Sequence, residues 1–383
     1  MTWLRLLPFP LVALAVVWLL PGVFLPKDFT EYWSAARVLA TGGDPYNGAE
    51  LLPVQRQIAE ELAKQEGKEP DASAKVVSLW TPPWTLPLYA PFGWLAYTPA
   101  RWVWLFMQLV LLFTAVELLW RTYGGAPKLW FVPHLVACAF APTFWLAHYG
   151  QNTALILLGL SGFLFLRHTR PTLAGCFAAL TAIKPHLLAV VGLLIVLDVF
   201  RDRGWRVLVG GAVMLLVGSL LALAFNVHIF QHFVEAAVRP ATPETVPLKD
   251  WAVPLIAYDL RHAFAPERFV VQFVPCAVAC GFMAVHRLVN RRAWDWAEQL
   301  PAAVLVSGLF APYGGWMFDL VVLLVPAVQL VARAKGVSGW GVVAGVVLLN
   351  VMAIRPLNLE EFGWYSPLMG LLWLAGQATR PVR

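Results

Sequence analysis

The chain has 383 residues, 60% of them hydrophobic and 13% charged, and a formal net charge of +6. A mean hydropathy of +0.67 excludes a soluble globular domain; apolar runs recur over the whole length, which predicts an all-α polytopic membrane protein, since in lipid a helix satisfies its own backbone polar groups. The Lys and Arg residues are scattered between those runs and not clustered with aromatics, so no nucleic-acid partner is expected.

Within the first apolar stretch, 8–25, the run from Leu11 to Leu20 is followed by Pro21-Gly22 and further apolar residues with no small-residue cleavage site, so the stretch reads as a retained span. The external loop 26–101 then carries three elements. Asp28-Phe-Thr-Glu31 opens a helix whose Tyr32, Trp33, Ala36 and Leu39 share a face and which stops at Gly42-Gly43. Asp28-x-x-Glu31 ahead of an apolar stripe is a capping box. A carboxylate just beyond a span can equally take the proton of an acceptor hydroxyl, and the two roles can coexist. Gly43-Asp44-Pro45-Tyr46 is by itself an ordinary turn, with Asp44 before Pro45 and the glycines ending the helix. Leu51, Val54, Ile58 and Leu62 form a second stripe, opposite Glu60, Glu61 and Lys64. Residues 84–97 are apolar but short and broken by Pro87 and Pro91, which predicts a helix lying at the outer interface.

Further apolar runs follow at 102–120, 130–147, 152–166, 171–184, 186–200, 206–226, 269–286, 298–312, 317–332, 338–354 and 364–378, so about 12 transmembrane helices are expected. Charge orients them. Arg121 and Lys128, Arg167 and Arg170, Arg201, Arg203 and Arg206, Arg287, Arg291 and Arg292, and Arg333 and Lys335 fall in alternate short connections, whereas the turns near Tyr149 and Tyr313 carry no basic residue. Both termini are therefore placed in the cytoplasm of a multi-pass protein of the plasma (inner) membrane, with the loop 26–101 outside. Glu117 is expected to pair with Arg121 and Asp198 with Arg201.

Three external turns carry further candidates. In His148-Tyr-Gly-Gln-Asn-Thr153, Gln151 and Asn152 either cap the next helix or bind an acceptor. In Ile183-Lys184-Pro185-His186, Lys184 lies between apolar runs with no acidic neighbour in sequence, so an anionic partner is expected unless the ammonium snorkels to the headgroups. In Ala311-Pro-Tyr-Gly-Gly-Trp-Met-Phe-Asp319, Tyr313 and Trp316 read as an aromatic belt with Asp319 near the interface, and all three are groups able to stack or hydrogen-bond with a ligand. Arg355 is either a contact for an anionic ligand or a partner of Glu360 or Glu361. Cys138, Cys176, Cys276 and Cys280 all lie in apolar runs, which argues against a disulfide framework or a metal site.

Asp28-Phe29, Tyr32-Trp33, Ala35-Ala36 and Gly42-Gly43-Asp44-Pro45-Tyr46, with Gly150-Gln151-Asn152 and Lys184-Pro185, resemble glycosyltransferase family 87, the polyprenol-phosphate-mannose-dependent α-1,2-mannosyltransferase-like proteins of the GT-C class. The family's Gly-Gln-x-Asn appears here without its intervening residue, and the Ser and His of its last external motif are absent from 311–319. The resemblance implies a single GT-C-like transmembrane domain over 1–383, with interfacial helices in the first external loop and the active site outside. It further implies inverting hexosyl transfer, most often of mannose, from a polyprenyl-phosphate sugar to a glycan or glycolipid acceptor. Asp28 would be the catalytic base, and Glu31, Tyr32, Trp33, Asp44, Tyr46, Gln151, Asn152, Lys184, His186, Tyr313, Asp319 and Arg355 the substrate-binding set. No metal and no cofactor beyond the lipid-linked donor is expected, since no Asp-x-Asp and no Gly-rich phosphate loop occurs. The competing readings are a lipid-linked-sugar flippase, which should show repeated halves, and an assembly protein without activity.

Overall fold

A computed structural model of the chain describes residues 8–19, 27–67, 69, 76–198, 204–238, 255–290, 292–354 and 359–379. Among them are helices and no strand. In order these are α1 (Pro8–Leu19), α2 (Lys27–Ala40), α3 (Gly48–Glu66), α4 (Leu86–Gly93), α5 (Tyr97–Thr122), α6 (Val132–Cys138), α7 (Ala141–Tyr149), α8 (Thr153–Leu166), α9 (Pro171–Ala179), α10 (Ala189–Leu197), α11 (Gly204–Phe225), α12 (Ile229–Val238), α13 (Ile256–Phe264), α14 (Val274–Val289), α15 (Trp296–Leu309), α16 (Leu324–Arg333), α17 (Gly336–Ala353) and α18 (Tyr365–Ala378). Short 3-10 turns precede or follow several of them.

The described parts of the apolar runs fall mostly on helices, yet length separates helices from spans. Tyr97–Thr122, Gly204–Phe225, Phe269–Val289 and Gly336–Ala353 are long and apolar enough to cross a membrane, and the pair 127–138 and 141–149, bent by 62°, is a fifth if it forms one span. The expected dozen is therefore a count of apolar helices, of which four or five meet the length of a crossing among the described residues. For α8 and α9 the shortness has a local cause. The α8 helix begins only at Thr153, after Gly150-Gln151-Asn152, and α9 tightens into a 3-10 turn at Leu180–Ile183 just before Lys184. Polar residues thus interrupt the apolar helices at one end.

The loop elements form as the periodicity predicts. The α2 helix gives way to a turn at Thr41-Gly42, where Gly42 has φ +80°. The α3 helix starts at Asn47, whose Oδ1 accepts the Ala49 N–H at 3.1 Å, and buries Leu51 and Ile58. At eight residues α4 is about 12 Å long, too short to cross, and it packs on α2. Gly93 makes that contact possible, because a Cβ there would lie 2.5 Å from the Ala36 backbone. Phe29, Tyr32, Trp33, Ala36 and Leu39 of α2 are buried against α4 and its neighbours.

Elsewhere several buried polar groups meet across the fold. The break between α6 and α7 frees the Ala141 N–H, which donates to Asn350 Oδ1 at 2.7 Å, and the Tyr365 hydroxyl donates to the same oxygen at 2.8 Å. At the end remote from Lys184, Asp198 binds Arg287 at 2.6 Å and the Trp296 indole N–H at 2.6 Å, with Arg167 at 3.8 Å. The partner expected for Asp198, Arg201, lies outside the described residues, and Arg287 takes that role across 89 positions because α10 and α14 pack together. Glu117 pairs with Arg121 at 2.6 Å as its i,i+4 spacing requires.

The α16 helix runs from beside Asp319 toward Arg333, so exposed positions of α3 and of the α17 start report on opposite faces. With the native cysteines replaced by serine, a membrane-impermeant maleimide added to intact cells should label Lys64→Cys and leave Ser338→Cys unlabelled. Labelling of position 338 with position 64 silent reverses the orientation expected from charge.

Candidate active site

The α2 helix brings Asp28, Glu31 and Tyr32 onto one side, three and four residues apart. Its aromatic face is fixed by stacking: Tyr32 lies 4.8 Å from the Tyr89 ring at 16° and 5.6 Å from Trp104. Trp104, fully buried in α5, donates its indole N–H to the Gly150 carbonyl at 2.7 Å. One cluster of rings therefore holds α2, α4, α5 and the α7–α8 turn together, and that turn presents Gln151.

Gln151 is buried and uses both ends of its amide. Its Nε2 donates to Asp28 Oδ2 at 2.6 Å, while Oε1 accepts from the Tyr32 hydroxyl at 2.8 Å and from Lys184 Nζ at 2.8 Å. Lys184 also donates to Asp319 Oδ1 at 2.6 Å, the oxygen that Thr153 Oγ1 reaches at 2.8 Å. The ammonium lies 5.2 Å above the Phe318 ring. The result is a continuous chain from Asp28 through Gln151 and Lys184 to Asp319, drawn from four separate parts of the sequence. The anionic partner that Lys184 requires is supplied by the protein itself: the side chain is 12% exposed and its partner 2%. Snorkelling to the headgroups is not its arrangement.

Glu31 takes a partner outside the Gln151 chain. Its Oε1 accepts the Trp80 backbone N–H at 3.2 Å, so it does not close a capping box, and Asp28 lies inside the first turn of a helix that begins at Lys27. Burial, and then the nearby Asp28 charge, push the Glu31 carboxyl from the ordinary 4.5 up to about 8. The same burial, with Glu31 next, raises the Tyr32 phenol well above 10. Asp28 and Glu31 are thus unlike carboxyls three residues apart, one engaged with an amide N–H and the other inclined to keep its proton.

The remaining sequence candidates divide. Asn152 does not cap α8 with its side chain; its Nδ2 donates to the Tyr89 hydroxyl at 2.8 Å. His186 stacks on Tyr313 with ring centroids 4.0 Å apart, and Gly314, at φ +71°, leaves room for the imidazole, since a Cβ there would lie 2.6 Å from its Nε2. His186 lies two residues after Lys184 in the chain. Trp33 is drawn away from the cluster: its indole N–H donates to the Leu95 carbonyl at 3.2 Å. Asp44 serves its own turn, accepting the Tyr46 N–H at 2.9 Å and lying 3.4 Å from His232 Nδ1, and the Tyr46 hydroxyl donates to the Thr81 carbonyl at 2.9 Å. Arg355 lies outside the described residues. Sequence reading missed Tyr89, Trp104 and Thr153, which sit in apolar runs where period and composition mark only packing. No group of three or more His, Cys, Asp or Glu with metal-binding geometry occurs among the described residues.

An all-helical chain with apolar helices and a polar cluster at one end has the outline of a membrane-embedded enzyme, and comparison with known families makes the class specific. A family model described as glycosyltransferase family 87 matches residues 80–313. That is more than half of the chain, which belongs to glycosyltransferase family 87 and is by that membership a transferase. The match includes Gln151 and Lys184; Asp28, Glu31 and Asp319 lie outside it and join the matched part through contacts. Comparison with curated proteins gives no match, and comparison with solved structures gives none.

The Glu31 environment has a measurable consequence. A carboxyl raised from 4.5 to about 8 on folding makes the native state bind the extra proton, so its contribution to stability is complete below pH 4.5 and is lost as pH rises through 8. The thermal midpoint of the wild type should fall between pH 7 and pH 9 more steeply than that of Glu31→Gln, which mimics the protonated form. Parallel pH profiles for the two proteins would show that Glu31 is ionised throughout.

Proposed function

We propose that this glycosyltransferase is a GT-C-type inverting hexosyltransferase that moves a sugar, mannose first among the choices, from a polyprenyl-phosphate donor to a glycan or glycolipid acceptor at the external face of the plasma membrane. The observation that carries the proposal is the Gln151 amide, which touches both Asp28 and Lys184. A group able to take a proton and a group able to neutralise a phosphate are thereby held at opposite ends of one side chain.

The chemistry follows from that spacing. An acceptor hydroxyl attacks the sugar C1 and gives its proton to Asp28 as the new C–O bond forms. The bond from C1 to the phosphate oxygen breaks on the opposite side, and the electron pair leaves with the polyprenyl phosphate. Lys184, fixed before the reaction, faces the charge that develops there. A phosphate leaves without a general acid, and attack opposite the leaving group inverts the anomeric centre. The stacked His186–Tyr313 pair and Asn152 are placed to contact sugar hydroxyls or the ring face. The family resemblance supports the choice of donor; the lipid phosphate suits a site approached from between helices.

Asp28→Asn keeps an acceptor oxygen for the Gln151 N–H and removes the base. Assayed with labelled polyprenyl-phosphate sugars in membranes, this variant should stay folded and lose about 10²- to 10⁴-fold in turnover. Wild-type turnover in Asp28→Asn would exclude Asp28 as the base.

Lys184 needs a different design, because its loss strands a buried carboxylate. Breaking one partner of a buried pair costs about 3–5 kcal/mol, so Lys184→Gln alone is expected to lower the thermal midpoint. Adding Asp319→Asn should restore stability without restoring use of the donor. If the double variant recovers donor use as well, the pair is purely structural.

A further inference from the structure

The α9–α11 pair carries a second cationic feature at the end of the molecule remote from the Lys184 cluster. The α9 helix and its 3-10 extension run from Pro171 at one end to Ile183, next to Lys184, at the other. A surface groove of about 360 Å³ opens at the Pro171 end, lined by Arg170, Pro171, Thr172, Leu173, Trp205 and Arg206. Its walls come from two elements that cannot slide apart: a Cβ at Gly210 would lie 1.8 Å from the Thr172 carbonyl oxygen and one at Gly175 1.9 Å from that of Val207, so the helices touch through backbone. The two guanidinium groups are thus held on either side of a rigid seam.

Among the described residues their charge has no carboxylate partner. At this end Arg121 pairs with Glu117 at 2.6 Å, Arg287 with Asp198 at 2.6 Å and Arg333 with Glu298 at 2.7 Å. Among the described residues no carboxylate pairs with Arg170 or Arg206; Arg206 instead lies over the Trp205 ring at 5.5 Å. The groove also leads directly onto an apolar helix face. Val209, Val213, Leu216 and Leu220 of α11 are all exposed, and α11 is one of the helices long enough to cross the bilayer. Trp205 is 54% exposed at the top of that face, the place an indole takes at a membrane interface.

We propose that this groove is a binding site for an anionic phospholipid, with the headgroup phosphate between Arg170 and Arg206, the glycerol region against Trp205, and the acyl chains along the exposed face of α11. Charge alone would suit any phosphate, but a free anion would leave the adjoining apolar strip without a role. Basic pockets between spanning helices are a recurrent setting for acidic lipid headgroups. The site is separate from the Gln151 cluster and does not depend on the proposed transfer reaction.

The test uses the full chain in detergent, titrated with phosphatidylglycerol, phosphatidylcholine or inorganic phosphate, reading the thermal midpoint and the lipid retained in native mass spectra. Phosphatidylglycerol should stabilise the wild type, and neither phosphatidylcholine nor phosphate should do so. Arg170→Gln with Arg206→Gln, both on exposed side chains, should weaken the phosphatidylglycerol effect roughly 30-fold, since one basic residue at a membrane surface contributes about fivefold. Lys128→Gln with Lys335→Gln removes the same charge at the same end outside the groove and should leave it unchanged. Equal stabilisation by phosphatidylcholine, equal stabilisation by free phosphate, or equal loss in the two double variants would each overturn the proposal.

Discussion

Lys184 and Asp319 are 135 positions apart in sequence and 2.6 Å apart in space, and much of the polar end of the molecule is arranged around that pair. Neither charge can sit alone where it is: each is largely shielded from water, and the cost of an uncompensated ion in such surroundings exceeds that of most packing defects. Meeting that cost ties the end of the α9 segment to the turn that opens α16. It also fixes the direction of Lys184, because Gln151 and Asp319 accept two of its donors and Phe318 covers it. In the proposed reaction a donor phosphate meets an ammonium that already has a carboxylate partner, so donor binding is a contest for Lys184 rather than the filling of a vacant charge.

Gln151 extends this constraint to α2. An amide has one donating and one accepting end, and here the accepting end takes two donors, which leaves the orientation of the side chain determined by its neighbours. Asp28 is therefore positioned from the family-matched part of the chain although it lies outside it. The aromatic cluster of Tyr32, Tyr89 and Trp104 serves the same end by different physics, holding α2 against α4 and α5 through ring contacts so that the polar atoms meet at hydrogen-bond distance.

The two ends of the helices are used differently. Near Lys184 the helices are cut short by 3-10 turns and polar residues, and backbone irregularity is tolerated because side chains and neighbouring helices satisfy the freed groups. At the other end Arg121, Arg287 and Arg333 are bound to carboxylates in static pairs, whereas Arg170 and Arg206 lie together beside an exposed apolar helix face. One end holds its charges among themselves in a network that includes the proposed base; the other presents charge outward.

Much was legible in the sequence. Composition settled the membrane class and the helical architecture, and the 3.6-residue period located α2, with its glycine stop, and α3, because these are local properties of spacing and backbone freedom. The isolated position of Lys184 among apolar residues announced that a negative partner had to exist. Its identity was not readable, since nothing local distinguishes Asp319 from an interfacial aspartate, and only the packing of α8 beside Asp319 brings the two together. The same holds for Glu31, which reads as half of a capping box by spacing but in three dimensions finds the Trp80 N–H, and for Asn152, which reads as a cap but reaches Tyr89. Asp44 and Trp33 belong to the same helix-and-turn motif as Asp28 and are nevertheless turned elsewhere, because a helix face is set by its period whereas the partner of that face is set by the rest of the fold. Sequence determined which residues were available; long-range contacts decided which of them meet.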